Sequence, residues 1–249
     1  MTPVPVWGVP FAPLTLPETL DAAERLVRAG TPSYLITANL HYAMLTARDP
    51  RLAAVNRGAA LIVADGMPLV WASRWRPTRL PERVAGADLV PALCERAARC
   101  GFRIFLLGGA EGVAARAAEV ARERFPGLEV VGTLAPPFRE LTPAEHAELV
   151  EAVRRAKPDL LFVAFGQPKG ELWVAEHYRE LGVPLTVQVG ASLDFLAGRV
   201  TRAPRWVQRV GLEWAYRLAR EPGRLARRYA GNGWFALRML ARDALGFRG

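Results

Sequence analysis

The stretch LIVADGMPLVWASR, residues 61–74, decides how this chain folds. It opens with a short apolar run of the length of a buried strand, and Asp65 and Gly66 stand where the chain must then turn. A helix starting at Met67 would complete a strand–turn–helix unit. A lone aspartate at such a turn most often caps the following helix, so this stretch alone leaves open whether Asp65 is a cap or a functional group.

The same alternation of apolar runs and amphipathic stretches extends over residues 1–198. It predicts an α/β fold, with a Rossmann-like, mostly parallel sheet and helices on both faces. The predicted strands are 33–37, 60–63, 103–107, 128–132, 160–164 and 186–189. The predicted helices are 18–29, 40–47, 86–100, 112–124, 143–156 and 171–180. Two helix starts carry capping-box pairs, Thr15 with Glu18 and Thr142 with Glu145.

Charge sets the rest of the chain apart. The net charge of +9 lies in residues 199–249, which hold 12 basic and 3 acidic residues, against 21 of each in residues 1–198. Apolar residues recur there at helical spacing between arginines, and Pro222 marks a new helix start. We therefore expect an α/β domain, residues 1–198, and a basic amphipathic helical appendage, residues 199–249. Such an appendage indicates a polyanionic partner: nucleic acid, anionic lipid headgroups or a phosphorylated substrate.

The bulk sequence favours a cytoplasmic protein without a histidine-based metal site. There is no run of about 18 apolar residues and no basic start followed by an apolar stretch. Cys94 and Cys100 lie six residues apart on a predicted helix, a spacing that suits neither a zinc knuckle nor a helical metal pair. The histidines are scattered among unrelated segments, while a carboxylate metal site stays open.

The carboxyl ends of the predicted strands hold the candidate site residues, because ligands of open parallel sheets generally bind there. The polar residues and glycines at these ends are Thr37, Asn39, Asp65, Gly66, Gly108, Gly109, Gln167, Lys169, Gly190 and Asp194. The loop 108–112 resembles a phosphate cradle but lacks the full GxGxxG pattern. No acidic residue ends the next strand, which disfavours a dinucleotide site.

Several separated motifs follow one another in a specific order. They are TAN at 37–39, ADG at 64–66, ERVAGADL at 82–89, LLGG at 106–109, APPF at 135–138, QPKGE at 167–171, GASLDFLAG at 190–198, RAPRW at 202–206 and GLEWAYRLAREPGRLARRY at 211–229. In this order and at these distances the chain resembles the WecG/TagA/CpsF glycosyltransferases. That family attaches a sugar from a UDP-sugar to a lipid-linked acceptor during bacterial surface-polymer assembly, and the resemblance covers residues 8 to about 229.

The resemblance implies an inverting transferase in which Asp65 is the catalytic base. A hydroxyl that attacks an anomeric carbon must lose its proton, and a placed carboxylate can take it. By the same resemblance Thr37, Asn39 and Arg83 line the pocket. The residues expected to bind substrate are Gly66, Gly108, Gly109, Gln167, Lys169, Glu171, Gly190, Asp194, and the appendage residues Arg217, Arg224 and Arg227.

No cofactor and no metal are expected beyond the UDP-sugar as co-substrate, since the sequence has no DxD pair and the family is thought to work without one. The expected reaction moves N-acetylmannosamine or its uronic acid to N-acetylglucosaminyl-diphospho-undecaprenol. The expected location is the cytoplasmic face of the membrane, where the appendage meets anionic lipids as a peripheral protein and active-site lid. A homo-oligomer stays open.

One residue departs from the family pattern, and two alternatives stay open. Gly170 stands where the family usually has a glutamine, and Gln167 could supply that amide from a neighbouring position. The donor could therefore be another UDP-hexose. From a different class, a nucleic-acid-binding protein would explain the basic appendage, but it would leave the polar strand ends without a task, and no recognised nucleic-acid motif is present.

Overall fold

The fold was analysed in a computed structural model that describes residues 1–137 and 139–245, without the side chains of Arg209 and Arg224. Phe138 of the APPF motif thus lies outside the described residues. The strands are β1 (Val4–Val6), β2 (Val9–Phe11), β3 (Ser33–Ala38), β4 (Leu61–Ala64), β5 (Arg103–Gly108), β6 (Glu129–Leu134), β7 (Leu160–Ala164) and β8 (Leu185–Gln188). The helices are α1 (Leu16–Ala29), α2 (Leu40–Thr46), α3 (Arg51–Gly58), α4 (Met67–Ser73), α5 (Gly86–Cys100), α6 (Val113–Arg124), α7 (Pro143–Ala156), α8 (Lys169–Leu181), α9 (Ser192–Leu196), α10 (Arg205–Arg209), α11 (Glu213–Arg220) and α12 (Pro222–Ala244).

Strands β3 to β8 form one parallel sheet in the order β4-β3-β8-β7-β5-β6. The predicted α/β fold is therefore confirmed, and each predicted strand agrees with an observed strand to within one or two residues. Strands β1 and β2 form a separate antiparallel hairpin that the sequence pattern did not predict. Pro5 and Pro10 face each other in this hairpin, and proline within a short apolar run argues against a strand.

The sheet is covered on both faces because its strands are mostly apolar. Side chains alternate between the faces, so that Ile36 of β3 packs against a core built from α2, α3, α4, α7 and α8. Its neighbour Leu35 packs against the opposite core, built from α1, α5, α6 and α9. Two layers of helices thus fix the sheet and hold the loops at its carboxyl edge.

Both predicted capping boxes are present. The Thr15 hydroxyl accepts a hydrogen bond from the Glu18 N–H at 3.4 Å, and the Glu18 carboxylate accepts one from the Thr15 N–H at 2.8 Å. The pair Thr142 and Glu145 repeats this arrangement at the start of α7. Each pair satisfies amides that the first helical turn leaves free, which explains why these two helix starts were predicted well.

Residues after 199 form α10, α11 and α12, which confirms the predicted helical appendage and its helix start at Pro222. The last helix is attached to the beginning of the chain. The Trp7 indole donates to the Asp243 carboxylate at 3.0 Å, and the Arg76 guanidinium lies 3.0 Å from the other oxygen of that carboxylate, with all three side chains buried. Phe235 packs edge-to-face on Trp7 with 5.8 Å between ring centroids. The domain boundary at residue 198 stays a prediction.

Candidate active site

The candidate base Asp65 lies at the carboxyl edge of the sheet, beside the end of β3. Its backbone N–H donates to the Ala38 carbonyl at 2.9 Å, which extends the pairing of β4 with β3 by one residue. One oxygen of its side chain accepts a hydrogen bond from the Gly86 N–H at 3.2 Å, at the start of α5. Among the described residues this is the only hydrogen bond to the Asp65 carboxylate.

The Asp65 side chain contacts the start of α5 and not the helix that directly follows it in sequence. The helix that follows it, α4, has Gly66 as its N-cap and no side-chain cap, so Asp65 does not cap that helix. The carboxylate reaches instead to a helix that begins 21 residues later. The interpretation of Asp65 as a mere cap of α4 is therefore wrong. A carboxylate fixed by two different segments is held in one direction, as a catalytic group needs to be.

Burial raises the pKa of Asp65 from 3.8 to about 6. The hydrogen bond from Gly86 and the charge of Arg83 lower it, whereas the charges of Glu213 and Asp88 raise it further. The residue keeps a partly exposed surface, although protein surrounds its side chain on most sides. A pKa near 6 leaves the group mostly ionised at neutral pH and more basic than an ordinary aspartate, which suits a general base.

Gly86 brings the start of α5 close to the ends of β3 and β8. A Cβ atom at this position would lie 2.6 Å from the Ser192 hydroxyl and 3.2 Å from the Thr37 hydroxyl, so only glycine fits without a shift. The Thr37 hydroxyl is itself committed to the Gln188 carbonyl at 3.0 Å. Thr37 and Asp65 lie at the ends of two different strands, and both are close to the start of α5.

Arg83 belongs to a cluster of two arginines and two acids beside Asp65. Its guanidinium donates to Glu213 at 2.9 Å and to Asp88 at 3.3 Å. Arg202 contacts the same two carboxylates, donating to Asp88 through both terminal nitrogens and to Glu213 at 3.2 Å. Because Arg202 and Glu213 belong to the appendage, this cluster fastens the appendage to the body next to the candidate base.

The glycine loop after β5 is shaped by close packing against β7. Gly108 has φ +100°, and a Cβ there would lie 2.9 Å from the Ala164 carbonyl oxygen. The Gly109 N–H donates to that same carbonyl at 3.1 Å. The Gly109 amide is therefore engaged within the protein, and Gly112, with φ +77°, precedes the uncapped start of α6.

Gln167 lies in the loop between β7 and α8, and Lys169, Gly170 and Glu171 form the first turn of α8. Gln167 accepts a hydrogen bond from Arg228 of α12 at 3.2 Å, while Lys169 is exposed and donates to the Arg139 carbonyl at 3.1 Å. Glu171 is completely buried.

Gly170 is tightly packed against a side chain of the neighbouring strand. A Cβ at Gly170 would lie 2.5 Å from the Gln188 side-chain nitrogen, which donates to the Phe165 carbonyl at 3.0 Å. The space beside Gly170 is thus filled by Gln188. Gln167 faces Arg228 instead, so its suggested replacement of a glutamine at 170 gains no support.

Comparison with known proteins gives the same result along nearly the whole chain. The model of the glycosyl transferase WecG/TagA/CpsF family matches residues 4–248. The chain belongs to this family. It is 31% identical over 195 residues, 78% of its length and 74% of the relative, to the N-acetylglucosaminyldiphosphoundecaprenol N-acetyl-beta-D-mannosaminyltransferase of Bacillus spizizenii strain W23. It is 27% identical over 223 residues, 89% of its length and 85% of the relative, to the protein of the same name from Bacillus subtilis strain 168.

The other predicted site residues of this WecG/TagA/CpsF family member occupy different surroundings. Asn39 accepts from the Tyr42 N–H at 3.1 Å and so caps α2. Asp194 lies 3.7 Å from Arg199, and the backbone at Gly190 has φ +54°. Their roles in substrate binding stay predictions.

The predicted appendage arginines differ in where they lie. The Arg217 guanidinium lies over the Phe195 ring, 5.4 Å from its centroid, and Arg227 is exposed. The Arg224 side chain lies outside the described residues. Arg228, which reaches Gln167, was missed, as were Asp88, Arg202 and Glu213. Each missed residue lies within a motif already quoted, and their opposite charges were the signal that could have paired them.

Within residues 1–137 and 139–245, no three histidine, cysteine, aspartate or glutamate side chains come together as a possible metal site. Among the helices that the structure describes, none has both the length and the apolar composition for a membrane span. A surface cavity of about 460 Å³ opens between α3 and α8, but it contains none of the predicted site residues.

Proposed function

We propose that this transferase moves N-acetylmannosamine, or its uronic acid, from a UDP-sugar to N-acetylglucosaminyl-diphospho-undecaprenol, with inversion at the anomeric carbon and without a metal ion. The observation that carries the proposal is the Asp65 carboxylate, fixed at a strand end by one hydrogen bond, with a pKa raised to about 6. Two relatives named for this transfer to a diphospho-undecaprenol acceptor support it.

In the proposed reaction an acceptor hydroxyl attacks the anomeric carbon of the donor sugar. Asp65 takes the hydroxyl proton as the new C–O bond forms, and the bond from the anomeric carbon to the diphosphate oxygen breaks. Attack from the face opposite the leaving group inverts the anomeric carbon. UDP leaves with the bonding electron pair, and the protonated Asp65 returns its proton to water.

The departing diphosphate needs positive charge, and the appendage supplies it. Arginine binds phosphate through two parallel hydrogen bonds, and the appendage holds 12 basic residues against 3 acidic ones. We assign Arg217, Arg224 and Arg227 to the leaving group, as the resemblance implies. Arg83, which is held by two carboxylates, would shape the site beside Asp65.

We expect the proposed reaction at the cytoplasmic face of the membrane, where a lipid-linked acceptor and a UDP-sugar can meet. The appendage exposes large apolar side chains among its arginines, including Trp206, Val210, Trp214, Trp234 and Leu237. Aromatic rings settle at the headgroup boundary, and arginines attract anionic lipids. We expect reversible peripheral attachment that weakens as salt increases.

A transfer assay with a panel of UDP-sugars and a synthetic prenyl-diphosphate-linked N-acetylglucosamine acceptor, followed by mass spectrometry, tests the proposal. We expect a disaccharide product with UDP-N-acetylmannosamine or its uronic acid and metal chelator present. A product only with another UDP-hexose would assign a different donor. No product with any UDP-sugar, together with thermal stabilisation by an oligonucleotide and not by UDP, would replace the proposal with nucleic-acid binding.

A further inference from the structure

Glu171 is a buried carboxylate that the fold does not explain. It lies in the first turn of α8 with no exposed surface, and within the described part of the chain neither of its oxygens accepts a hydrogen bond. An ionised group in such surroundings is costly, and replacement by a neutral side chain is often neutral or stabilising. Because Glu171 does not reach solvent, it cannot serve as a base or contact the sugar in this conformation.

A positively charged residue of the appendage lies close to this carboxylate. Burial raises the pKa of Glu171 to about 7, and the Gln167 amide and the Arg228 charge act against this rise. Both groups lie near Glu171 without hydrogen-bonding geometry to it, and Arg228 donates to Gln167 at 3.2 Å. Among the described residues, the groups that can carry charge and interact electrostatically with Glu171 are Arg228 of α12 and Tyr42 of α2, whose own pKa Glu171 raises.

The start of α12 is thus seated on two segments at the carboxyl edge of the sheet. Arg228 contacts the loop after β7, and one helical turn further on the buried Asn232 hydrogen-bonds His41 at 3.0 Å, in the first turn of α2. The charge of Arg228 also lowers the pKa of His41, after the larger effect of burial, as expected for a guanidinium near the first turn of α2.

We propose that Glu171 is a positioning residue of the transferase site, whose buried negative charge holds Arg228 and, through the Arg228–Gln167 hydrogen bond, seats the start of α12 over the ends of β3 and β7. Arg228 is then a further residue of the proposed transferase site, one position from the predicted Arg227. The kinetic part of this proposal rests on the proposed function, whereas its structural part does not.

The variant Glu171→Gln removes the charge and keeps the size of the side chain. We expect its Tm at pH 8 to equal or exceed that of the wild type, because the burial of an ionised group is relieved. We expect kcat/KM to fall by about 10- to 100-fold, mainly through KM, because Arg228 loses the negative charge that holds it beside Gln167. A merely structural residue would instead lose stability together with activity.

The matched control is Glu176→Gln, an exposed glutamate on the same helix, which should leave kcat/KM and Tm unchanged. Arg228→Met should resemble Glu171→Gln, with Arg228→Lys recovering part of the activity and exposed Arg238→Met as its control in a detergent assay. The double variant Glu171→Gln/Arg228→Met should be no worse than Arg228→Met alone, because both changes remove one interaction. Additive losses, or a Glu171→Gln enzyme within twofold of wild type, would overturn the proposal.

Amide hydrogen exchange separates this proposal from the proposed function. Glu171→Gln should accelerate exchange in residues 223–235 of α12 and leave β5 and β7 protected, whereas Glu176→Gln should change neither. If the wild type transfers no sugar but this exchange pattern is observed, the proposed function fails and the positioning role stands. Unchanged exchange in α12 would refute the positioning role even in an active enzyme.

Discussion

Replacing Asp65 with asparagine should make the protein more stable at neutral pH while it removes the chemistry. The amide oxygen of asparagine can still accept the hydrogen bond from Gly86, so the local geometry is kept. What disappears is the ability to ionise in a site that disfavours charge. The variant therefore separates the catalytic value of the carboxylate from its cost to folding.

The magnitude follows from the pKa of Asp65, which burial raises from 3.8 to about 6. A rise of about two pH units corresponds to about 3 kcal/mol, at about 1.4 kcal/mol for each. The folded chain binds this proton more tightly than the unfolded chain, so the associated stability is fully present below pH about 4 and is lost as the pH rises through about 6. Asp65→Asn does not undergo this loss, and its Tm advantage should grow from none at pH 4 to at most about 6–12 °C at pH 7.5.

The transfer assay supplies the second half of the test. Loss of a general base should lower kcat by about 10²- to 10⁴-fold, while stabilisation by UDP stays near that of the wild type. The wild-type kcat/KM should rise with pH and level off above about 6 as Asp65 ionises. Transfer within tenfold of wild type would exclude Asp65 as the base. If Asp65→Asn has a lower Tm than the wild type at pH 7.5, burial of the ionised Asp65 carboxylate does not destabilise the fold.

Three further changes test other parts of the structure. Glu213→Gln removes a charge that raises the pKa of Asp65, so the rising limb of the wild-type pH profile should move to lower pH. Asp243→Asn leaves a buried guanidinium without its counter-charge and should lower the free energy of unfolding by about 3–5 kcal/mol in urea titration. Gly108 has φ +100° and contacts a β7 carbonyl, so Gly108→Ala should lower Tm and abolish stabilisation by UDP. Its control is Gly30→Ala, at φ +68° in open space, which should lower the free energy of unfolding by only about 1–3 kcal/mol and retain stabilisation by UDP.

The sequence predicts the body of the fold because its signals are local. Short apolar runs mark the six sheet strands, and capping pairs mark the starts of α1 and α7. The hairpin β1–β2 was missed because proline within a short apolar run argues against a strand. Its strands are stabilised by packing against the neighbouring core, which the local sequence does not reveal. The short helices α3 and α9 were missed as well, since one or two turns give too few residues for a periodic pattern.

The site is less predictable because its contacts are long-range. Asp65 could be found at a strand end, but its hydrogen bond to Gly86 and the pairing of Arg83 with Glu213, 130 residues apart, depend on how helices dock. The same holds for Arg227 and Arg228, which are neighbours in sequence. Only the packing of α12 decides that Arg228 faces the loop after β7 while Arg227 is exposed.

The hydrogen bond from Trp7 to Asp243 joins the two extremities of the described chain, 236 positions apart. A bulky fusion placed ahead of the first hairpin would disturb this contact with the last helix. Through that helix it would affect the candidate active site without touching any residue in it. Low activity of such a fusion would then result from a displaced α12 and not from a low intrinsic activity of the enzyme. Purification tags are better tested at both ends before any kinetic constant is assigned to the protein itself.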